Sequence, residues 1–206
     1  MKNDYRFGET HIAIPPTVLF TAIGKIEDIR KTITMDAKHP GDLVYLLGDT
    51  KNELGGSEYY DHLGYLGCNV PQVEAKSAKE RYDKLSEAIT SNWVRSCHDC
   101  SDGGLAVALA ETAFAGGFGM MLDISAALAK NPLRTDTFLF SESQSRFVVT
   151  IDPQHRHVFE NLFAAQSCYY LGEIVKTTDF TITQDNTEII HSSVIALKES
   201  WQATLR

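Results

Sequence analysis

The sequence has no long apolar run. Its longest apolar stretches, such as Phe147 to Ile151, have the length of a strand and fall far short of the roughly 20 residues that span a bilayer. No basic segment leads into an apolar one near Met1, so a secretory leader is not expected, and the expected location is the cytosol. Basic residues are in deficit: 19 Lys and Arg face 27 Asp and Glu, a formal charge of −8. Non-specific adhesion to DNA or RNA needs Lys and Arg gathered into a patch, so neither nucleic acid nor membrane is an expected partner. Cysteine is scarce. Cys68, Cys97, Cys100 and Cys168 could form two disulfides on count alone, but a leaderless chain of this size favours free thiols.

The Cys97-His98-Asp99-Cys100 quartet lacks companions. A structural zinc site takes four ligands, and the chain offers no second C-x-x-C and no H-x-x-x-H pair, which argues against metal. A thioredoxin-type pair opens a helix directly, whereas Ser101-Asp102-Gly103-Gly104 follows here. The histidines (His11, His39, His62, His98, His155, His157 and His191) are scattered, and no Ser/His/Asp or Cys/His set is visible. No catalytic residue is therefore assigned to this chain.

What is present is an ordinary globular composition, 43% hydrophobic and 22% charged over 206 residues, and a chain of that length buries about 70% of its unfolded surface. Internal repeats and low-complexity tracts are absent. Residues 1–17 are polar and then punctuated by Pro15 and Pro16, which bar a regular helix or central strand. Aliphatic and β-branched runs predict strands over 18–26, 42–47, 94–97, 118–124, 147–151, 168–175 and 180–183. Helical spacing predicts helices over 57–66, 73–92, 105–115, 153–165 and 191–205, the second from Val73, Ala78, Tyr82, Leu85 and Ile89. Alternating strands and helices make this an α/β (α+β) chain, a sheet layered with helices.

Three polar, glycine-bearing segments sit between apolar elements. In Asn52-Glu53-Leu54-Gly55-Gly56-Ser57-Glu58-Tyr59 a diglycine leads into a helix start, where close backbone approach and unpaired N–H groups attract anions; a plain turn with Ser57 as N-cap is the alternative. In His98-Asp99-Cys100-Ser101-Asp102-Gly103-Gly104-Leu105, Asp99 and Asp102 could hold magnesium or ribose hydroxyls at the carboxyl end of a strand; Ser101 or Asp102 as N-cap is the alternative. In Phe140-Ser141-Glu142-Ser143-Gln144-Ser145-Arg146-Phe147, Glu142, Ser143 and Gln144 offer polar contacts to a sugar phosphate, and Arg146 a fork-type contact. There the alternative is an internal Glu142 to Arg146 ion pair that shapes the loop. The candidate phosphate- or nucleotide-binding residues are thus Gly55, Gly56, Ser57, Asp99, Ser101, Asp102, Gly103, Gly104, Glu142, Ser143, Gln144 and Arg146, with metal ligands unassigned. If the three segments serve one ligand, their strands must end on the same side of the sheet.

Taken together, these segments resemble the last domain of the phosphoribosylformylglycinamidine synthases, which are similar to aminoimidazole ribonucleotide synthetase. The resemblance rests on Asp42 to Gly48, Glu53 to Tyr59, His98 to Glu111 and Glu142 to Arg146, with Ile14-Pro15-Pro16-Thr17 similar to the start of that domain. Val18-Leu19-Phe20 stands where relatives often place Pro-Val-Ile, and Cys100 replaces a usual valine.

The resemblance implies a mixed sheet layered with helices over 18–206, preceded over 1–17 by a remnant of an ATP-handling domain and a linker. It implies an ATP-dependent ligase of purine biosynthesis that converts formylglycinamide ribonucleotide to the amidine with glutamine-derived ammonia, through phosphorylation of the amide oxygen, ammonia attack and phosphate loss. ATP and magnesium belong to the full-length enzyme and neither is assigned to this piece. The implied partners are the upstream domains of its own chain, a glutaminase domain or subunit, and a ribonucleotide. The Glu-Ser-Gln segment of the family's first half contacts ribonucleotide, so Glu142, Ser143 and Gln144 match it by pseudo-symmetry and would line a second site able to hold a structural nucleotide. The piece alone is expected to be inactive. A non-catalytic nucleotide-binding or assembly module of the same superfamily is the alternative.

Overall fold

The computed structural model describes residues 4–13 and 19–203. The chain divides into two compact units, Met1–Arg30 and Lys31–Arg206. In the first, strands β1 (Asp4–Phe7) and β2 (Thr10–Ala13) pair antiparallel. The Ile14 to Thr17 segment and Val18 lie outside the described residues. The strand expected over 18–26 is not formed over its described part: 19–26 pair with nothing in a ladder, and Leu19, Phe20 and Ile23 are 89%, 88% and 96% exposed. Strand propensity describes fit to a half-buried pleated surface, and no such surface receives these residues.

The second unit is built on a mixed seven-stranded sheet of order β4-β6-β3-β7-β5-β8-β9. Its strands are β3 (Leu43–Leu47), β4 (Val94–Asp99), β5 (Gly119–Asp123), β6 (Phe147–Ile151), β7 (Cys168–Val175), β8 (Asp179–Gln184) and β9 (Thr187–Ser193). The helices are α1 (Glu58–His62), α2 (Ala75–Thr90), α3 (Gly104–Gly116), α4 (Ser125–Lys130), α5 (Thr135–Phe140), α6 (Arg156–Leu162) and α7 (Val194–Ala203). Only β5 and β8 pair in parallel; the other contacts in the sheet are antiparallel.

All five residues of β3 are buried, which is why its sequence is an unbroken apolar run rather than an alternation. Val44 and Leu46 face a core shared with Leu105 and Leu109 of α3, Leu128 of α4 and Phe138 of α5. Leu43, Tyr45 and Leu47 face the opposite core, with Leu85 of α2 and Phe159 of α6. The sheet is therefore the middle layer of three.

The sequence predicts a last strand over 180–183 and a helix over 191–205. In the structure Asp185 and Asn186, at φ 50° and 62°, form the left-handed pair of a hairpin turn. That turn returns the chain as β9, which pairs antiparallel with β8 before α7 begins at Val194. The helices α4 and α5, of six residues each, are too short to give a periodic signal.

Candidate functional site

Register brings the three polar segments together. Leu47, the last residue of β3, pairs with Phe147, the first of β6. Phe147 also pairs with Asp99, the last of β4. The carboxyl ends of β3 and β4 and the amino end of β6 therefore share one sheet edge, and the loops beyond them, carrying Gly55 to Ser57, Asp99 to Gly104 and Glu142 to Arg146, gather there.

The junction is one carboxylate. Glu142 Oε1 accepts from the N–H of Glu58 at 2.9 Å and from the N–H of Gly103 at 2.8 Å. It thus caps the starts of α1 and α3 together. Ser57 is the N-cap of α1, its hydroxyl accepting from Tyr60 N–H at 3.2 Å. Neither Ser101 nor Asp102 caps α3: the N-cap is Gly103, at φ 77°, and Ser101 Oγ donates to Asp99 Oδ2 at 3.0 Å. Gly104 has φ 68°, and a methyl group there would collide with the Ser141 carbonyl. The glycine pair thus admits the third loop against the start of α3.

The backbone N–H groups expected to attract an anion already have acceptors. Gly55 donates to Asn69 O at 2.8 Å, Gly56 to Leu66 O at 2.7 Å and Gly104 to Ser101 O at 3.0 Å. Adding the two held by Glu142, both turns are closed by the protein's own oxygens rather than open to phosphate.

Arg146 takes neither role expected of it. It is fully buried and forms no ion pair with Glu142, whose carboxylate turns to the two N–H groups above. Its Nε donates to Ser143 O at 2.9 Å, Nη1 to Thr50 Oγ1 at 2.9 Å and Nη2 to Ser141 O. A guanidinium is a rigid fork, and here it is spread beneath the loop as its internal staple. Burial pushes its pKa below the ordinary range, while Cys100, Glu53 and Glu142 act the other way. Ser143 is buried too, its hydroxyl accepting from Lys51 N–H at 2.9 Å.

Five of the expected residues remain on the surface: Gly56, Asp99, Ser101, Asp102 and Gln144. Gln144 Nε2 donates to Glu142 O at 3.1 Å. Asp99, Ser101 and Gln144 line an open groove of ≈ 340 Å³ with Tyr82, Ser145 and Phe147. The Tyr82 and Phe147 rings meet edge to face, centroids 5.7 Å apart. Tyr82 was expected in the buried stripe of α2, but the stripe runs Ala78, Arg81, Leu85, Ala88, and Tyr82 is 45% exposed. Its hydroxyl meets Ser145 Oγ at 2.7 Å, and Arg81 Nη1 donates to Ser145 O at 2.7 Å. The signal for Arg81 was its place three residues after Ala78 and four before Leu85.

Among the described residues no group of three or more His, Cys, Asp and Glu side chains is placed to hold a metal ion. All four cysteines are free, with Cys68 exposed and Cys100 buried. Burial pushes the thiols of Cys97 up to about 12, Cys100 to about 11 and Cys168 to about 12, so they stay protonated near neutrality and are poor nucleophiles. His98, on β4, pairs through Nε2 with Glu111 Oε2 of α3 at 2.7 Å, tying that strand to the helix behind it.

The family model described as AIR synthase related protein, C-terminal domain, matches residues 39–185. Among curated proteins, phosphoribosylformylglycinamidine synthase subunit PurL of Alkaliphilus metalliredigens (strain QYMF) is 36% identical over 197 residues, which is 94% of this chain and 26% of that protein. The chain thus spans about a quarter of that relative's length. Among solved structures, T. maritima PurL complexed with FGAR superposes with a TM-score of 0.72 at 18% identity, covering 82% of this chain and 30% of that one. E. coli HypE gives 0.54 at 15% identity, covering 78% and 51%. At such identities the superpositions speak to the fold alone.

Two outcomes follow. Arg146→Ala strands three buried acceptors, on Thr50, Ser141 and Ser143, and is expected to destabilise the chain by about 3–5 kcal/mol in denaturant unfolding, in line with breaking a buried charged network; a loss below about 1 kcal/mol would show the staple to be dispensable. In thiol titration with an aromatic disulfide at about pH 8, Cys68 is expected to react first and Cys97, Cys100 and Cys168 only on unfolding. Fast native labelling of Cys97 or Cys100 would contradict the burial account.

Proposed function

The chain belongs to the AIR synthase related family, whose C-terminal domain it carries, and on that premise we propose that it serves as the last domain of an ATP-dependent, amidine-forming ligase. In this reading residues 18–206 are the functional domain, residues 1–17 a remnant of the domain before it, and the location cytosolic. The chain supplies one wall of a nucleotide or sugar-phosphate site, and the upstream domains of a longer protein supply the remainder. The reaction is conversion of formylglycinamide ribonucleotide to its amidine, with ammonia delivered by a glutaminase domain or subunit.

One observation carries the reading: three segments far apart in sequence meet at a single sheet edge, pinned by Glu142 to both helix starts. Loops that merely ended helices would have no need to gather. The groove beside that junction combines the face of Tyr82 with the carboxylate of Asp99, the hydroxyl of Ser101 and the amide of Gln144, a set suited to a ring and the hydroxyls of a sugar. The ligand is held by these side chains, because the backbone N–H groups of Gly55, Gly56, Gly103 and Gly104 are already engaged. Gly55, Gly56, Ser57, Gly103, Gly104, Glu142, Ser143 and Arg146 shape the wall. Asp99, Ser101 and Gln144 touch the ligand, and Asp102 stands exposed beside the groove without lining it.

ATP and magnesium do not fit this chain's own residues as a complete site. The described side chains place no metal-binding group, and neither glycine turn is left open as a phosphate cradle, so no chemical step is assigned here to either. The same closure of the turns favours, as a second reading, a module that holds nucleotide structurally without chemistry.

In the full-length protein, Gln144→Ala is expected to weaken nucleotide or ribonucleotide binding about tenfold, the loss of one hydrogen bond of roughly 1.4 kcal/mol, with an unchanged unfolding midpoint because the residue is exposed. Calorimetric titration giving unchanged affinity would remove Gln144 from the site. The purified 206-residue chain should not consume ATP with formylglycinamide ribonucleotide and ammonia; measurable turnover would overturn the division of labour proposed above.

A further inference from the structure

The first residues of β7 are paired on one side only. Cys168 to Tyr170 form a ladder with Leu47 to Tyr45 of β3, whereas β5 joins β7 no earlier than Gly172. Beside that half-paired stretch lies a cavity of ≈ 350 Å³, walled by Tyr45, Cys168, Tyr169 and Tyr170 and bordered by Lys130 of α4 and Glu160 of α6. Its size falls within the range of small-molecule pockets, about 300–1,000 Å³. It shares no lining residue with the groove of Asp99 and Gln144.

Two charges of opposite sign border this cavity, and each is open to a partner. Glu160 Oε1 accepts from the Tyr45 hydroxyl at 2.8 Å and from Arg156 Nε–H at 3.0 Å. Arg156 is thereby engaged, and its guanidinium also lies over the Tyr170 ring, 4.8 Å from the centroid. Glu160 Oε2 makes no hydrogen bond among the described residues, and it is not one of the chain's buried unpaired atoms, the side chain being 42% exposed. Lys130 is exposed. Its Nζ makes no hydrogen bond or ion pair among the described residues and lies 6.0 Å from the centroid of the Tyr169 ring, the outer limit of cation–π attraction. Both charges reach one atom of the wall: burial is the main push that raises the Cys168 thiol, Glu160 adds to it and Lys130 opposes it. An anion here meets the charge of Glu160, and a cation meets that of Lys130. A neutral apolar molecule leaves both charges without a partner. A molecule with one charge of each sign answers both, and tyrosine rings suit an apolar body. We infer that this cavity is a site for a free amino acid in its zwitterionic form, its carboxylate toward the Lys130 ammonium, its ammonium toward Glu160 Oε2 and an apolar side chain against the tyrosine rings. The inference goes beyond the nucleotide reading and does not rest on it.

The experiment titrates the 206-residue chain with three probes of one skeleton and follows the Tyr169 and Tyr170 backbone amides by ¹H–¹⁵N NMR. The probes are phenylalanine, a zwitterion; phenylalaninamide, a cation at about pH 6, below the ordinary range of an α-amino group; and N-acetylphenylalanine, an anion. Phenylalanine is expected to shift both amides saturably, with the cation and the anion each at least about tenfold weaker. Lys130→Met removes the partner of the carboxylate, so phenylalanine should weaken about tenfold while phenylalaninamide, no longer repelled, does not weaken. Glu160→Gln keeps an acceptor for the Tyr45 hydroxyl and should do the converse, weakening phenylalanine about tenfold and sparing N-acetylphenylalanine. An absence of saturable shifts at Tyr169 and Tyr170 with phenylalanine would overturn the inference. So would a singly charged probe binding the unaltered chain within about twofold of phenylalanine, or a Lys130→Met chain whose phenylalanine affinity stays within about twofold of the original. If Glu160→Gln fails to fold, the exposed Lys130→Met change and the three-probe comparison decide. None of these results depends on whether nucleotide binds the groove.

Discussion

A single carboxylate oxygen, Glu142 Oε1, holds this sheet edge together by accepting two backbone N–H groups at once, from Glu58 and Gly103. Those donors lie 84 and 39 residues away in sequence, so the bond pair ties three separate chain segments into one surface. Much of the surrounding detail serves it. Gly104 lacks a side chain where Ser141 passes. Arg146 lies beneath and ties the carbonyls of Ser141 and Ser143 to Thr50, and Cys100 N–H donates to Arg146 O at 3.0 Å. An ionised carboxylate at a helix start is favoured by the partial positive charge there. Placing one such group between two helix starts gives a junction that no pair of local caps could provide.

That junction changes what the glycine turns can be said to do. A glycine-rich turn entering a helix is a ready anion site only while its N–H groups are unpaired. Here the protein's own anion takes the Glu58 and Gly103 N–H groups, and main-chain carbonyls take those of Gly55, Gly56 and Gly104. The turns therefore act as scaffold, and the chemistry open to a ligand lies in the exposed side chains along the groove: Asp99, Ser101, Gln144 and the ring of Tyr82. On the proposed reading, such a wall binds and orients. The thiols nearest it, half-buried Cys97 and buried Cys100, are held protonated.

The layered sheet was legible because its signals are local. The five buried residues of β3, the helical stripe of α2 and the glycine stops around α3 each announce their element in a few residues. Over its described residues, 19–26, the expected strand is not formed because pairing, unlike composition, is a tertiary property, and β9 is not evident because its hairpin turn, Asp185-Asn186, lies between stretches of mixed polarity. At the site, the sequence identified the three segments and their meeting point follows from strand register. The division of labour within them did not show. Arg146 looks like a ligand contact on chemistry alone; only its complete burial reveals a staple. Arg81 does not stand out in the sequence because a charged residue interrupts an otherwise apolar stripe beside Tyr82, and Glu53 because it lies in a polar segment leading to a diglycine turn.

The central claim is that Glu142 closes both helix starts together, and amide hydrogen exchange of the Glu142→Ala chain tests it. The account predicts that the Glu58 and Gly103 amides lose protection together, while the Leu46 amide in the middle of β3 exchanges as before. If one of the two amides loses protection without the other, or if neither changes, the carboxylate is not the shared cap and the three loops are held at this edge by something else.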